Sequence, residues 1–179
     1  MAKRIVSILV VCVLALSCVF AESANGGIID VSVSPSAFQW IKVEEDVYRS
    51  TSGIAASVGY MKNVWKGLAV GAGIEWSNYQ QEKLVPYGSF NNVALLARCG
   101  YAFKLSEKVF LDAGIGLGYE IVMAGKNISH SFCSEIDLNM GMVIDDVFSF
   151  SAGAKGRAVI QKASQVFSVM PSLSVGITL

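Results

Sequence analysis

The sequence is poor in charged residues and has no excess of either sign. Only 16% of its 179 residues are Asp, Glu, Lys or Arg, against about 25% in ordinary soluble domains, and 53% are apolar. The formal net charge is +0, so no basic field is present to attract nucleic acid. We therefore expect no nucleic-acid partner, and the chain is more apolar than a typical soluble domain.

Residues that bind metals and cofactors are scarce as well. The chain has one histidine, His130, and only two cysteines beyond residue 21, Cys99 and Cys133. These residues make no ligand set of recognised spacing, and the chain lacks a phosphate-binding loop and a dinucleotide fingerprint. We expect neither a metal nor a cofactor.

Residues 1–21 have the pattern of a Sec signal peptide, which predicts cleavage before Glu22 and a single domain over 22–179. Lys3 and Arg4 precede an apolar segment that ends at Ala21. An uncleaved membrane anchor is an alternative, although the segment is shorter than the roughly 20 residues of a spanning helix. A lipoprotein signal with Cys18 as the lipidated residue is another.

Beyond residue 21 no apolar run reaches the about 18 residues of a spanning helix, so only strands could cross a membrane. The chain instead alternates between large apolar residues and small or polar ones. From Phe167 to Leu179, the odd positions are apolar, and the even positions are mostly Ser, Gly or Thr. This pattern predicts eight strands, at 28–38, 50–62, 67–78, 91–104, 108–122, 130–143, 147–160 and 166–179.

The predicted linkers alternate in length, as in outer-membrane barrels, where long loops are extracellular and short turns are periplasmic. The long linkers are 39–49, 79–90, 123–129 and 161–165, and the short ones are 63–66, 105–107 and 144–146. The predicted fold is all-β, a closed eight-stranded antiparallel up-and-down transmembrane β-barrel. Both termini then lie on the periplasmic side.

The bulky face of each strand is predicted to meet lipid, and the glycine-rich face to line a narrow lumen. A soluble sandwich or lipocalin-like binder is disfavoured, because its large apolar side chains would point inward. Aromatic residues at the strand ends predict two girdles, formed by Trp40, Trp76, Tyr79, Tyr119 and Phe132 near the long loops and by Tyr60, Trp65, Tyr101, Phe103 and Phe148 near the short turns. Cys99 and Cys133 fall on opposite faces, so no disulfide is expected.

The alternation also places charged residues on the inner face, where ions must be paired. They are Glu75, Arg98, Asp112, Glu120, Glu135, Asp137, Lys155 and Arg157. A short turn centred on Asp146 predicts a register that sets Glu135 opposite Arg157 and Asp137 opposite Lys155. We expect an internal ion-pair network that plugs the lumen.

Together these features resemble the small outer-membrane barrels of the OmpA, OmpX and OmpW type. The ending Ser174-Val175-Gly176-Ile177-Thr178-Leu179 is similar to the signal read by the barrel assembly machinery, although Leu179 replaces the usual terminal aromatic residue. The resemblance implies location in the bacterial outer membrane, with membrane lipids and the assembly machinery as partners. We expect a monomer.

Three functions follow as hypotheses. The first is a non-enzymatic barrel whose long loops contact an extracellular ligand, with the acidic run 44–46 in the first loop. The second is a narrow OmpW-like channel for small hydrophobic or amphipathic solutes. The third is a lipid-modifying enzyme, which is disfavoured because Ser131 next to His130 points to the opposite face and the residue two positions on is Phe132.

Overall fold

The computed structural model describes residues 26–35, 38–43, 46–50, 53–80, 89–160 and 164–179. The predicted signal peptide, its cleavage site and Cys18 lie outside these residues. Within them, no helix is both long and apolar enough to cross a membrane.

The described chain consists of antiparallel strands joined by turns. The strands are β1 (Gly27–Pro35), β2 (Phe38–Val43), β3 (Asp46–Ser50), β4 (Gly53–Trp65), β5 (Leu68–Gln80), β6 (Ser89–Lys104), β7 (Val109–Ala124), β8 (Asn127–Val143), β9 (Phe148–Ile160) and β10 (Ser164–Thr178).

The strands form a closed barrel. The sheet runs in the order β1-β4-β5-β6-β7-β8-β9-β10, and β10 also pairs with β1. β2 and β3 extend the β1–β4 hairpin in the same register, since Gly27 pairs with Lys62 and Gln39 pairs with Ser50. The ten strands therefore make an eight-stranded barrel wall, and the predicted fold class is confirmed.

The predicted long linkers 39–49 and 123–129 are wrong, because most of these residues are strands. β2 and β3 occupy all but two positions of residues 38–50, and β7 and β8 are joined by Gly125 and Lys126 alone. A strand needs only about 9–11 residues to cross the bilayer, whereas β8 has 17. The additional residues extend the hairpins beyond the outer end of the apolar band. There the strands no longer contact lipid, so apolar and polar residues need not alternate. The loop 81–88 lies outside the described residues.

The two faces of the wall differ as the alternation predicts. On β7, Leu117 is 66% exposed on the outer face, whereas Glu120 is fully buried on the inner face. Gly118 is required by close packing, because a Cβ there would overlap the backbone carbonyl oxygen of Leu95. In the β4–β5 turn, Lys66 and Gly67 both have positive φ, as in a type I′ hairpin.

Most of the predicted girdle residues lie on the outer face. Trp65, Tyr101, Phe103 and Phe148 are exposed near the short turns, and Trp76 and Phe132 are exposed toward the other end. Trp40 and Tyr119 are half-buried there.

Two of the predicted girdle residues are not exposed to lipid. Tyr79 shares the inward face of Glu75 and Ser77, is 4% exposed, and donates a hydrogen bond to Met170 Sδ. Its position in the alternation, not its closeness to a strand end, decides where it points. Tyr60 has the parity of the outer face but is only 2% exposed, with its ring packed against Gly27.

The ladder that closes the barrel is interrupted. β1 pairs with β10 from Ile28↔Thr178 to Val33↔Leu173, and β2 continues from Phe38↔Val169. The paired residue numbers sum to 206 in the first ladder and to 207 in the second, so the register differs by one residue between them. Pro35 is the last residue of β1, and Pro171 lies on β10.

The outward face can be tested with an arginine at mid-wall. Ile115→Arg places a charge where lipid contact is expected, and should lower the free energy of unfolding in phospholipid vesicles by about 2–4 kcal/mol. Val47→Arg is the control: Val47 is equally exposed but lies on β3, beyond Trp40, and should cost less than about 1 kcal/mol. Equal, small effects of the two variants would argue that this surface faces water.

Candidate functional site

The centre of the lumen holds a cluster of buried ion pairs built around Glu75 on β5. Lys155 Nζ on β9 lies 2.7 Å from Glu75 Oε2, and Arg157 Nη1, two residues along, donates to Glu75 Oε1. All three side chains are at most 5% exposed. One carboxylate therefore accepts hydrogen bonds from two cations, one at each oxygen.

The same two cations also contact acids on neighbouring strands. Lys155 Nζ lies 3.6 Å from Glu135 Oε1 on β8, and Arg157 Nη2 lies 3.4 Å from Glu120 Oε2 on β7. Arg98 on β6 completes the cluster, with Nη2 3.1 Å from Glu135 Oε1. The result is a chain of alternating sign, which we call the lumen plug: Arg98, Glu135, Lys155, Glu75, Arg157 and Glu120.

The plug spans the barrel from wall to wall. In the closed sheet, β5 and β9 are separated by three strands on either side, so Glu75 faces Lys155 and Arg157 across the lumen. Glu120 and Glu135 stand on the wall nearer to β9. Within the plug, only the contacts of Glu75 with Lys155 and Arg157 join opposite walls, and they cross the centre of the lumen.

Charge balance explains why such a plug is tolerated. An isolated ion in a low-dielectric interior is very costly, whereas acids and bases that neutralise one another offset most of the desolvation. The plug has three acids and three bases, so it is neutral when all are ionised. Removing one member leaves an uncompensated buried charge, which typically costs about 3–5 kcal/mol.

The predicted register of β8 and β9 is confirmed, because Glu135 lies opposite Arg157 and Asp137 lies opposite Lys155. The ion pairs predicted from that register are wrong. Arg157 contacts Glu75 and Glu120, and Lys155 contacts Glu75 and Glu135. In a lumen this narrow, long side chains reach across the axis as readily as to the neighbouring strand, so backbone register does not determine the partners.

Six of the eight predicted lumen residues form the plug, and Asp112 and Asp137 do not. In the described part of the chain, neither takes part in an ion pair, and Asp137 accepts a hydrogen bond from Asn139 Nδ2 at 3.3 Å. A third carboxylate, Asp30, lies with them and was missed by the sequence analysis. The signal was present, since Asp30 alternates with the outward residues Ile29 and Val31.

Below the plug, toward the short turns, lies a cavity of about 190 Å³. Asp30, Asp112 and Asp137 line its walls, and Arg98, Glu135 and Lys155 of the plug also face it. Its volume is enough for several water molecules. Of the charged residues that line the cavity, four are acids and two are bases, Arg98 and Lys155, so the cavity is acidic overall.

Beside and beyond the plug, toward the long-loop end, side chains fill the lumen. A buried apolar cluster comprises Ala94, Leu96, Cys133 and Val159, with Val166 packed against it. Cys133 is therefore a packing residue in the lumen. Cys99 lies on the outward parity of β6, and both thiols are free.

His130 lies on the outer face of the wall and does not meet the predicted lumen acids. Its ring stacks on Tyr119 at 5.7 Å, and Tyr119 also contacts Phe132 edge-on. Ser131 and Glu120 pair with each other across the ladder but are buried on the inner face. In the described ranges, no three His, Cys, Asp or Glu side chains are arranged to hold a metal ion.

The role of Glu75 in holding the plug can be measured by neutralising it. Glu75→Gln leaves two buried cations short of one negative charge and should lower the free energy of unfolding in vesicles by about 3–5 kcal/mol. Asp112→Asn is the matched control, since it removes an inner-face carboxylate outside the plug and should change stability little. Equal losses from the two variants would mean that Glu75 has no special structural role.

Comparisons with known proteins identify the fold but no relative in sequence. No protein-family model matches the chain, and no curated protein matches it. Among solved structures, the outer membrane protein OprG from Pseudomonas aeruginosa is similar with a TM-score of 0.58 and 10% identity, covering 87% of this chain and 96% of its own.

Two further solved structures are similar over most of their length. Ail, the attachment invasion locus protein of Yersinia pestis, has a TM-score of 0.53 and 11% identity, with 87% of this chain and 99% of its own covered. The outer membrane enzyme PagL has a TM-score of 0.54 and 13% identity, with 81% and 97% covered. Such low identities bear on fold alone. The chain has the fold of the small eight-stranded outer-membrane β-barrels.

Proposed function

We propose that this protein is exported through its signal peptide, inserts into the bacterial outer membrane as a monomer, and acts there as a plugged barrel whose outer end contacts extracellular partners. Two observations support the location. The outward face is apolar along every wall strand, and aromatic residues gather at both of its ends.

The observation that carries the proposed role is the lumen plug. Glu75 joins opposite walls through two cations, and an apolar cluster fills space beside it. An eight-stranded barrel leaves an interior that side chains just fill. A barrel closed in this way acts through its surface rather than by conducting solutes.

The part of the surface available for contact is the outer extension of the hairpins. β2 and β3 continue the wall past the aromatic residues Phe38 and Trp40, which stack at 6.2 Å. Lys42 and Val47 lie beyond them and are exposed, and Arg49, which pairs with Trp40, is exposed beside them. Strands present side chains more rigidly than loops, so a partner would meet a preformed edge carrying basic and apolar groups.

A narrow channel is the second candidate, and the acidic cavity favours it. The cavity occupies the lumen between the short turns and the plug. The plug, with the side chains beside and beyond it, therefore separates this cavity from the long-loop end of the barrel. Conduction would require the contacts of Glu75 to break. The ions admitted would be cations, since Asp30, Asp112 and Asp137 line the path.

Catalysis has the least support. PagL is described as an outer membrane enzyme, and it resembles this chain in fold. The described neighbours of His130 on the outer face are Tyr119, Ile121, Ile128 and Phe132. None supplies the serine hydroxyl or the carboxylate that a hydrolytic histidine requires.

Conductance in planar bilayers tests the plugged role. The unaltered protein should be silent, and Glu75→Ala should produce unitary conductance that selects cations over anions, because the remaining acids outnumber the bases. Asp112→Asn should remain silent, since it leaves the plug complete. Steady conductance of the unaltered protein would favour the channel. Silence of a correctly folded Glu75→Ala barrel would place the block elsewhere in the lumen.

Location is tested separately, by fractionating cells that express the full chain. We expect the protein in the outer-membrane fraction, without residues 1–21 by mass spectrometry, and with a heat-modifiable shift on gels. Recovery in the periplasm would refute the proposed location, whatever the conductance result.

A further inference from the structure

The inner face of the barrel carries more acids than its bases can neutralise. The lumen plug is neutral by itself, because its acids and bases are equal in number. Asp30, Asp112 and Asp137 lie outside the plug, and in the described part of the chain none of them forms an ion pair. All three line the cavity of about 190 Å³ between the plug and the short turns. The excess negative charge of the lumen is therefore concentrated in this one cavity.

The two bases that face this cavity already have partners. Arg98 and Lys155 both contact Glu135 Oε1, and Lys155 also contacts Glu75. The other oxygen of Glu135, Oε2, has no hydrogen-bond partner among the described residues, although this side chain is only 1% exposed. Glu135 lines the cavity from the side of the plug. An unsatisfied buried acceptor is costly, so the cavity favours a ligand that brings hydrogen-bond donors and positive charge.

The unpaired aspartates lie on opposite walls of the cavity. β1, which carries Asp30, and β7, which carries Asp112, are separated by three strands on either side of the closed sheet. Asp137 on β8 stands near Asp112, since it pairs with Gly114 two residues along β7. All three aspartates are half-buried, so a solute in the cavity can reach them. A ligand with one cationic group would leave one wall uncompensated, whereas a ligand with two can contact both.

The wall of the cavity becomes apolar toward the short turns. Ile28 and Phe110 each lie two residues closer to that end than the aspartate of the same strand, and Met61 pairs with Ile28. The alkyl segment of an organic cation can pack against these side chains. A bare metal ion cannot, and within the described ranges no three His, Cys, Asp or Glu side chains are arranged to hold one.

We propose that this cavity binds a linear organic diammonium ion, with one ammonium group at Asp30 and the other at Asp112 and Asp137. The volume is sufficient, because a cavity of about 150 Å³ holds benzene, which has as many non-hydrogen atoms as 1,4-diaminobutane. The ligand enters from the short-turn end, where Gly67 of the β4–β5 turn lines the cavity. This site goes beyond the proposed surface role, which needs no ligand in the lumen.

Calorimetric titration of the unaltered protein in phosphatidylcholine nanodiscs tests the chemistry of the ligand. The probes are 1,4-diaminobutane, 1-aminobutane and magnesium chloride at constant ionic strength, with empty nanodiscs as blanks. We expect the diamine to bind at least about tenfold more tightly than the monoamine, the factor that a second hydrogen bond between charged groups contributes. Equal affinity for diamine and monoamine, or for diamine and magnesium, would overturn the proposal, because the cavity would then hold only a loose counter-ion.

Paired variants test the position of the site. Asp30→Asn combined with Asp112→Asn removes one carboxylate from each wall and should weaken diamine binding at least about tenfold. Glu107→Gln combined with Asp146→Asn is the matched control, since both residues are exposed in short turns at the same end of the barrel. The control should stay within about twofold of the unaltered protein, because exposed charges contribute little. Equal losses from the two pairs would overturn the proposal. A heat-modifiable gel shift confirms that each variant is folded.

Amide NMR of the unaltered chain locates the ligand without any substitution. Gly114 and Gly176 line the cavity on two different strands, whereas Gly125 lies in the β7–β8 turn at the other end of the barrel. Adding 1,4-diaminobutane should shift the amide signals of Gly114 and Gly176 and leave that of Gly125 in place. Shifts of equal size at all three glycines, or at none, would contradict a site in the cavity.

Discussion

The structure depends on the neutralisation of buried charge across a narrow lumen. Among the described residues, Glu75 alone contacts cations from the opposite wall, and Lys155 and Arg157 each have a second acid to hold them in place. An eight-stranded barrel leaves an interior that side chains just fill, so a charge at its centre meets little water. The charges must therefore satisfy one another, and in doing so they bridge the two walls.

The plug divides the molecule into parts with different roles. The cavity on one side is acidic and large enough for water molecules, and the apolar cluster beside the plug is packed. Outside, the same strands present large apolar side chains, so each strand has a charged or glycine-rich face and a lipid face. At Gly118 of the inner face the wall leaves no space for a side chain, because the backbone carbonyl of Leu95 lies where a Cβ would stand.

The fold could be predicted from the sequence because lipid and lumen impose a strict two-residue period, which also fixes the β8–β9 register. That period stops at the membrane surface, so residues 39–49 and 123–129 were predicted as loops although hairpins continue through them. Partner choice in the plug could not be predicted either. The alternation determines that Glu75 and Arg157 point inward, but only the closed ring places them opposite each other. The inward position of Tyr79 could have been predicted from the alternation alone, because Tyr79 lies an even number of residues after the inward Glu75.

The central claim is that Glu75 and Arg157 interact directly across the lumen. A double-mutant cycle in phospholipid vesicles measures this most directly, using Glu75→Gln, Arg157→Met and the two changes combined. We expect a coupling free energy of about 2 kcal/mol or more, because the double variant removes both charges together. Additive effects, with coupling below about 0.5 kcal/mol, would contradict the cross-lumen plug.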